Sequence, residues 1–150
     1  MNQNKKYTAY CGLFCLDCIP SNERLFEVLN ELENLLIELK FDKYAELKSK
    51  SNETFENYSE FLNVLEEMKK LKCKMLCTEG GCKKDCKIRE CVKNNQYEGC
   101  WECNDFKNCE LLEYLKKIHP IKHNLEMIKK YGIDNWDDKR GKHYIGFNLS

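Results

Sequence analysis

"CGLFCLDCIPSNERLFEVLNELENLLIELK", residues 11–40, sets three cysteines directly ahead of a long amphipathic run. Cys11, Cys15 and Cys18 follow the spacing C-x3-C-x2-C. After Pro20, Ser21 or Asn22 is placed to cap a helix. Leu25, Val28, Leu29, Leu32, Leu35, Leu36 and Leu39 then recur at three- and four-residue steps, which puts them on one helical face. A thiol cluster followed at once by a helix is the pattern that sets the fold class.

Working outward, "FDKYAELKSKSN" (41–52) reads as a break. A second helix is expected from Ser51 or Asn52, with Phe55, Tyr58, Phe61, Leu62, Leu65, Met68 and Leu71 as its apolar stripe. It ends where "CKMLC" begins. Two such stripes pack face to face as an antiparallel hairpin over 21–72. The stripes are core faces rather than cofactor boxes. Further on, Asn104 or Asp105 is placed to cap a helix carrying Leu111, Leu112, Leu115 and Ile118. Pro120 suits the first position of another helix, with Ile121, Leu125 and Ile128 inward and Gly132 at its end. Ile133 and Trp136 are the expected anchors beyond it. The tail "KHYIGFNL" alternates loosely, so a small strand pairing with "KYTAYCGL" is a further expectation.

The totals narrow the class. A chain of 150 residues, 42% hydrophobic and 33% charged, reads as one globular domain over 1–150. At this length folding buries roughly 68–70% of the unfolded surface, so no staple is needed merely to fold. The formal net charge is zero, which argues against general nucleic-acid binding. Charge is unevenly spread, however. Residues 21–67 hold twelve acids against five bases, and residues 69–93 hold nine bases against three acids. The lysines of the second stretch are read as flanking thiols and offsetting thiolate charge, with a basic patch for an anionic partner as the lesser reading.

Eleven cysteines are far more than ordinary usage, and the count is odd. A secreted disulfide framework prefers an even count and a signal peptide. "MNQNKKYTAY" has no apolar h-region, and no run approaches the ~18 apolar residues of a membrane span. A cytoplasmic protein with reduced thiols is therefore expected, with no membrane association.

Besides Cys11, Cys15 and Cys18, eight cysteines lie within 73–109: Cys73, Cys77, Cys82, Cys86, Cys91, Cys100, Cys103 and Cys109. Most neighbours enclose two to four residues, the spacing at which a short turn brings two sulfurs to one ion. One such pair is weak evidence, but eight thiols in 37 residues point strongly to metal. Zinc held by thiolates is the leading reading and an iron–sulfur cluster the alternative, because cysteine-only sites suit either. The C-x3-C-x2-C spacing is also that of radical S-adenosylmethionine enzymes. Those build a partial barrel of alternating strands and helices, and no such alternation follows here, so the spacing is read as coincidental. Ferredoxin spacing is absent, and no cysteine is followed by proline. Metallothionein-like storage is excluded by two Trp, eight Tyr and seven Phe, which require a core.

His119, His123 and His143 read as surface or capping residues, although His119 or His123 would complete a Cys3His site. Trp101, inside "GCWEC", is expected to shield the thiols from water. No Cys–His–acid set stands out, so the pattern nominates no catalytic residue and leaves an enzymatic role open.

Taken in order, "YCGLFCLDC", "CKKDCKIRECV", "GCWECNDFKNCELL" and "HPIKHNLEMIKKYGIDNW" resemble a cysteine-rich bacterial and archaeal family, domain-of-unknown-function family 3795. The resemblance runs roughly from Tyr10 to Trp136. Its most specific parts are the cysteine order and the "C-x-I-R-x-C" step. It implies metal binding, commonly zinc, without an assigned reaction. Its cysteine motifs fall on Cys11, Cys15, Cys18, Cys82, Cys86, Cys91, Cys100, Cys103 and Cys109. Cys73 and Cys77 sit where the family often has a closer pair. Longer relatives carry a zinc-ribbon tail that does not follow "GKHYIGFNLS" here.

The resulting expectation is a mainly α protein with a loop-rich metal-binding region built from 11–18 and 73–109. The hairpin (21–72) and the C-terminal helices (105–136) buttress it. Three thiols cannot complete a four-ligand site, so a cysteine from 73–109 is expected to close the opening cluster. The function expected is an interaction module for an unknown protein partner, the alternative being an iron–sulfur or thiol redox protein that is an enzyme subunit, with the oligomeric state open.

Overall fold

A computed structural model describes residues 3–146 of the chain. Seven α-helices run in the order α1 (Gln3–Tyr7), α2 (Glu23–Glu38), α3 (Phe41–Ser49), α4 (Tyr58–Lys70), α5 (Lys87–Asn94), α6 (Glu113–Ile118) and α7 (Ile121–Tyr131). Short 3-10 turns fill many of the connections, and no strand occurs among the described residues. The protein is mainly helical, with its cysteines concentrated in loops and turns. The chain divides into two compact units, one of residues 1–18 and 73–150, the other of Ile19–Lys72.

The Ile19–Lys72 unit follows from its caps and its leucines. The Asn22 side chain accepts the Leu25 N–H at 3.0 Å and starts α2. Phe26, Leu29 and Leu65 are buried between α2 and α4, with Leu25, Leu36 and Leu62 around them. The stretch 41–52 differs from its sequence reading, because most of it is helix α3 rather than a break. It contains neither glycine nor proline. The reversal is made by Lys40 alone, in the left-handed region at φ 50°. Phe41 then packs on Tyr58, with ring centroids 5.4 Å apart, and Ala45 is buried, so the segment gains a core contact by staying helical. Asn52 caps the next element, a 3-10 turn Glu53–Asn57 that continues into α4.

The other unit is organised around α7. Ile121, Leu125 and Leu112 are fully buried with Ala9, Val92, Cys100 and Phe106. On the next turn Ile128 joins Phe14 and Trp136 in a second cluster. Pro120 stands one position ahead of α7 rather than inside it, and the Gly132 N–H donates to the Ile128 carbonyl at φ +81°. Two expectations change here. The helix read from Asn104 or Asp105 does not form as one piece. Cys109 is extended (φ −68°, ψ 118°), so turns Phe106–Asn108 and Glu110–Leu112 precede α6. The terminal strand pairing is also absent among the described residues. Gly12, at φ +84°, turns the opening stretch back on itself, so Thr8 bridges Phe14 and the Ala9 N–H donates to Leu13. In the tail the Ile145 N–H donates to the Ile118 carbonyl at 2.7 Å instead. Residues 147–150 of that expected strand lie outside the described residues.

Buried polar groups tie distant parts of this unit together. The Trp136 indole donates to the Thr8 hydroxyl at 3.1 Å, and that hydroxyl donates to the Asn4 carbonyl at 2.6 Å. The Asn124 amide donates to the Gly12 carbonyl and accepts the Gly141 N–H, both at 2.9 Å. These bonds satisfy groups that would otherwise be costly to bury. They hold the first cysteine loop against α7.

Candidate metal centre

All eleven cysteines are free thiols. Three backbone segments present ten of them, each shaped by local chemistry, and Cys91 stands exposed on α5. The first is the Gly12 turn. A side chain at Gly12 would meet Leu125 at 2.8 Å, so the loop sits directly on α7. The turn aims the Leu13 N–H at the Cys11 sulfur. Residues 15–17 then form a 3-10 turn in which the Cys18 N–H donates to the Cys15 carbonyl at 3.1 Å.

The second segment is the loop from Cys73 to Cys86. Gly80 lies at φ +99°, and a side chain on Gly81 would collide with the Met75 carbonyl. Cys82 follows in the left-handed region at φ 62°, an unusual conformation for a residue with a side chain. Strained backbone of this kind costs on the order of 1–3 kcal/mol and gathers at functional sites. One side chain holds the loop. Arg89, on α5 and only 7% exposed, donates from Nη1 to the carbonyls of Cys77 (3.3 Å) and Gly81 (3.1 Å). Its Nη2 donates to the carbonyls of Lys83 and Lys84. No carboxylate pairs with this guanidinium among the described residues.

The third segment, Cys100 to Cys109, is a series of 3-10 turns. It joins the first segment where the Cys100 N–H donates to the Tyr10 carbonyl at 2.8 Å. Gly99 lies under the Trp101 indole, which a side chain there would strike. Trp101 packs against both core clusters and lines a cavity of about 800 Å³ with Tyr7, Tyr10 and Tyr97.

The sulfurs share neighbourhoods that cross these segments. Burial pushes the Cys11 thiol far up, the Leu13 N–H opposes this, and the charges of Cys77, Cys100 and Cys86 add to it. Cys15 is raised to about 11 by burial, opposed by the Cys77 N–H and reinforced by Cys77, Cys73 and Cys18. Burial also raises Cys18, whose sulfur lies 3.7 Å from the Tyr144 hydroxyl and within reach of Cys82 and Cys73. Cys77 is raised by burial, while the Tyr10 N–H and the Arg89 charge work the other way. Cys100 is pushed up to about 12 by burial and then by Cys109, Cys91, Cys103 and Cys86. The charges felt by the opening trio overlap: Cys11 feels Cys77, Cys100 and Cys86, Cys15 feels Cys77, Cys73 and Cys18, and Cys18 feels Cys82 and Cys73.

In kind, these residues fit a thiophilic cation. The donors are soft sulfurs, backbone N–H groups point at three of them, and a guanidinium stands beside the loop. In placement they are neighbours rather than a closed shell. Among the described residues, no three Cys, His, Asp or Glu side chains converge into a group that could hold an ion.

The histidines lie apart from one another in role. His123 is exposed, with Nε2 2.8 Å from the Lys139 carbonyl. His119 and His143 are half-buried and pack together at a ring separation of 4.7 Å. His119 Nδ1 lies 2.5 Å from the His143 carbonyl, and His143 Nε2 is buried without a hydrogen-bond partner among the described residues. Burial lowers the His143 pKa to about 4. Sequence reasoning read His143 as a surface or capping residue, and it did not single out Arg89 as a loop anchor. The arginine was visible in the "C-x-I-R-x-C" step, but its four carbonyl partners are not encoded by spacing.

No helix among the described residues is long and apolar enough to cross a membrane. No curated protein and no solved structure matches the chain. One family model does, over residues 7–114, and all eleven cysteines and Arg89 fall within that span, while the histidines lie beyond it. Its description is "Protein of unknown function (DUF3795)", and the chain belongs to that family.

Proposed function

We propose that this chain is a cytoplasmic thiolate metal-binding protein, with zinc in structural sites drawn from Cys11, Cys15, Cys18 and the cysteines of 73–109. The observation that carries the reading is Arg89. A buried cation with no counter-ion costs several kcal/mol, and four carbonyls satisfy its N–H groups without neutralising it. A dication bound by four thiolates leaves a net negative centre, which is the missing counter-charge. The loop that Arg89 holds carries Cys77, Cys82 and Cys86 on either side of its carbonyl contacts.

The residues act as follows in this reading. The N–H groups of Leu13, Tyr10 and Cys77 stabilise negative charge on Cys11, Cys77 and Cys15. Burial favours the neutral thiols in the apo chain, so ligation expels their protons and draws the loops together. Bound zinc supplies folding energy, because the sulfurs close around it only in the folded loops. The module then presents a surface to a protein partner.

The test is elemental analysis with a visible spectrum, on protein purified without oxygen. Roughly two zinc ions per chain and no visible absorption are expected, since eleven thiols suffice for two four-sulfur sites. Iron with acid-labile sulfide would replace zinc by an iron–sulfur cluster on the same ligands. Absence of both metals would overturn the proposal. Replacing Cys15 with serine is expected to release metal and loosen the opening loop, read by metal content and hydrogen exchange.

A further inference from the structure

The Ile19–Lys72 unit has an apolar face besides its core. On α2, Val28, Leu32 and Leu35 run along the flank of the core residues. On α4, Phe61, Val64 and Met68 do the same. Leu35 is 47% exposed, Phe61 44% and Val64 57%. Scattered apolar side chains at a surface are ordinary, but these follow helical spacing on two adjacent helices. Both stripes lie on one side of the pair. Leu32 and Phe61 line a single cavity of about 390 Å³, walled at one end by Phe41, Phe55 and Tyr58. Glu33 and Lys69 pair at 2.5 Å in line with the core residues, Glu33 four positions after Leu29 and Lys69 four after Leu65, so the pair lies off the exposed stripes.

The surroundings of this face are acidic. Residues 31–60 hold eight acids and four lysines. Asp42 acts on Tyr58 in the cavity wall, and Glu53, Glu56 and Glu60 alternate with cavity residues along the chain. Among the described residues none of these four acids makes an ion pair, whereas Glu23, Glu33, Glu66 and Glu67 are paired with Lys69, Lys70 or Lys72. A second copy would bring like charge against like.

We propose that the α2–α4 face is a docking groove for a basic amphipathic helix of a partner protein. Apolar anchors at i, i+3 or i+4, and i+7 lie between the two stripes. Lysine or arginine side chains of the partner reach Asp42, Glu53, Glu56 and Glu60. The sixteen residues of α2 span about 24 Å, which matches four to five turns of a partner helix. The inference goes beyond the metal reading and does not depend on it, because residues 19–72 contain no cysteine.

The test uses the full chain and a labelled synthetic Leu–Lys amphipathic helix of about 18 residues, followed by fluorescence anisotropy. A scrambled isomer of the same composition and a Leu–Glu helix serve as controls. Saturable one-to-one binding is expected for the Leu–Lys helix alone. Leu35→Ser together with Val64→Ser is expected to weaken it by about tenfold or more. Both sites are exposed, and an unchanged far-ultraviolet circular dichroism spectrum checks the fold. Equal binding of the scrambled isomer, or an affinity untouched by the double substitution, would overturn the proposal. So would a concentration-dependent dimer, seen by sedimentation, that the double substitution abolishes, since the face would then belong to a second copy.

Discussion

The two units are held together by different physics. In Ile19–Lys72, helix caps reach two or three residues along the chain, and the core is a row of leucines at helical spacing with one phenylalanine. In the thiol-bearing unit, the decisive bonds are polar, buried and remote. Trp136 reaches Thr8 across 128 positions, and Asn124 reaches Gly12 across 112. The first kind of structure is robust, because many similar contacts share the load. The second is specific, because a few side chains each satisfy several groups that nothing else can reach.

The comparison makes graded predictions. The largest effect is expected at Trp136. Truncation to alanine removes a fully buried indole and its hydrogen bond to the Thr8 hydroxyl, a loss of about 3–5 kcal/mol. Hydrogen exchange in reducing buffer should show lost protection around Thr8, Phe14 and α7, with the amides of α2 and α4 unaffected. Equal loss in both units would break the contrast. Arg89→Met comes next. It leaves up to four loop carbonyls without their donor and is expected to cost about 2–3 kcal/mol. Arg89→Lys keeps the charge but not the planar fork, so it should retain more metal than Arg89→Met while still loosening residues 77–84. Equal metal content in the two variants would mean that the charge does not matter.

Smaller effects sharpen the same contrast. Gly12→Ala places a side chain against Leu125 at positive φ, with an expected cost of about 1–3 kcal/mol, measured by chemical denaturation. Asn22→Ala removes a single cap and is expected to cost about 1 kcal/mol, confined to α2. A change in the thiol-bearing unit on Asn22→Ala would show that the two are coupled more tightly than their internal bonding indicates.

Part of the helical unit was legible residue by residue, although Val28, Leu32, Leu35 and Leu39 of the expected core face are exposed and the buried Phe26 was not among it. The face carrying Leu25, Leu29 and Leu36, the Asn22 cap and the second stripe around Leu62 and Leu65 are all local signals. The error at 41–52 has a local cause too, since a single left-handed lysine made the reversal without glycine or proline. The thiol-bearing unit was legible only in its ingredients. The cysteines and Trp136 announced themselves. Neither the Asn124 bonds to Gly12 and Gly141 nor the fan of Arg89 bonds could be read from spacing.

The class of this protein is written in its local patterns: mainly helical, rich in thiols, with apolar stripes that must be buried or covered. Those properties depend on composition and on periods of three to four residues, which act over one or two turns of chain. Which carbonyls Arg89 holds, and that Gly12, Asn124 and Gly141 meet, depend on tertiary packing alone. A hydrogen bond across a hundred residues is selected by the packing that brings its partners together, and no local pattern carries that information.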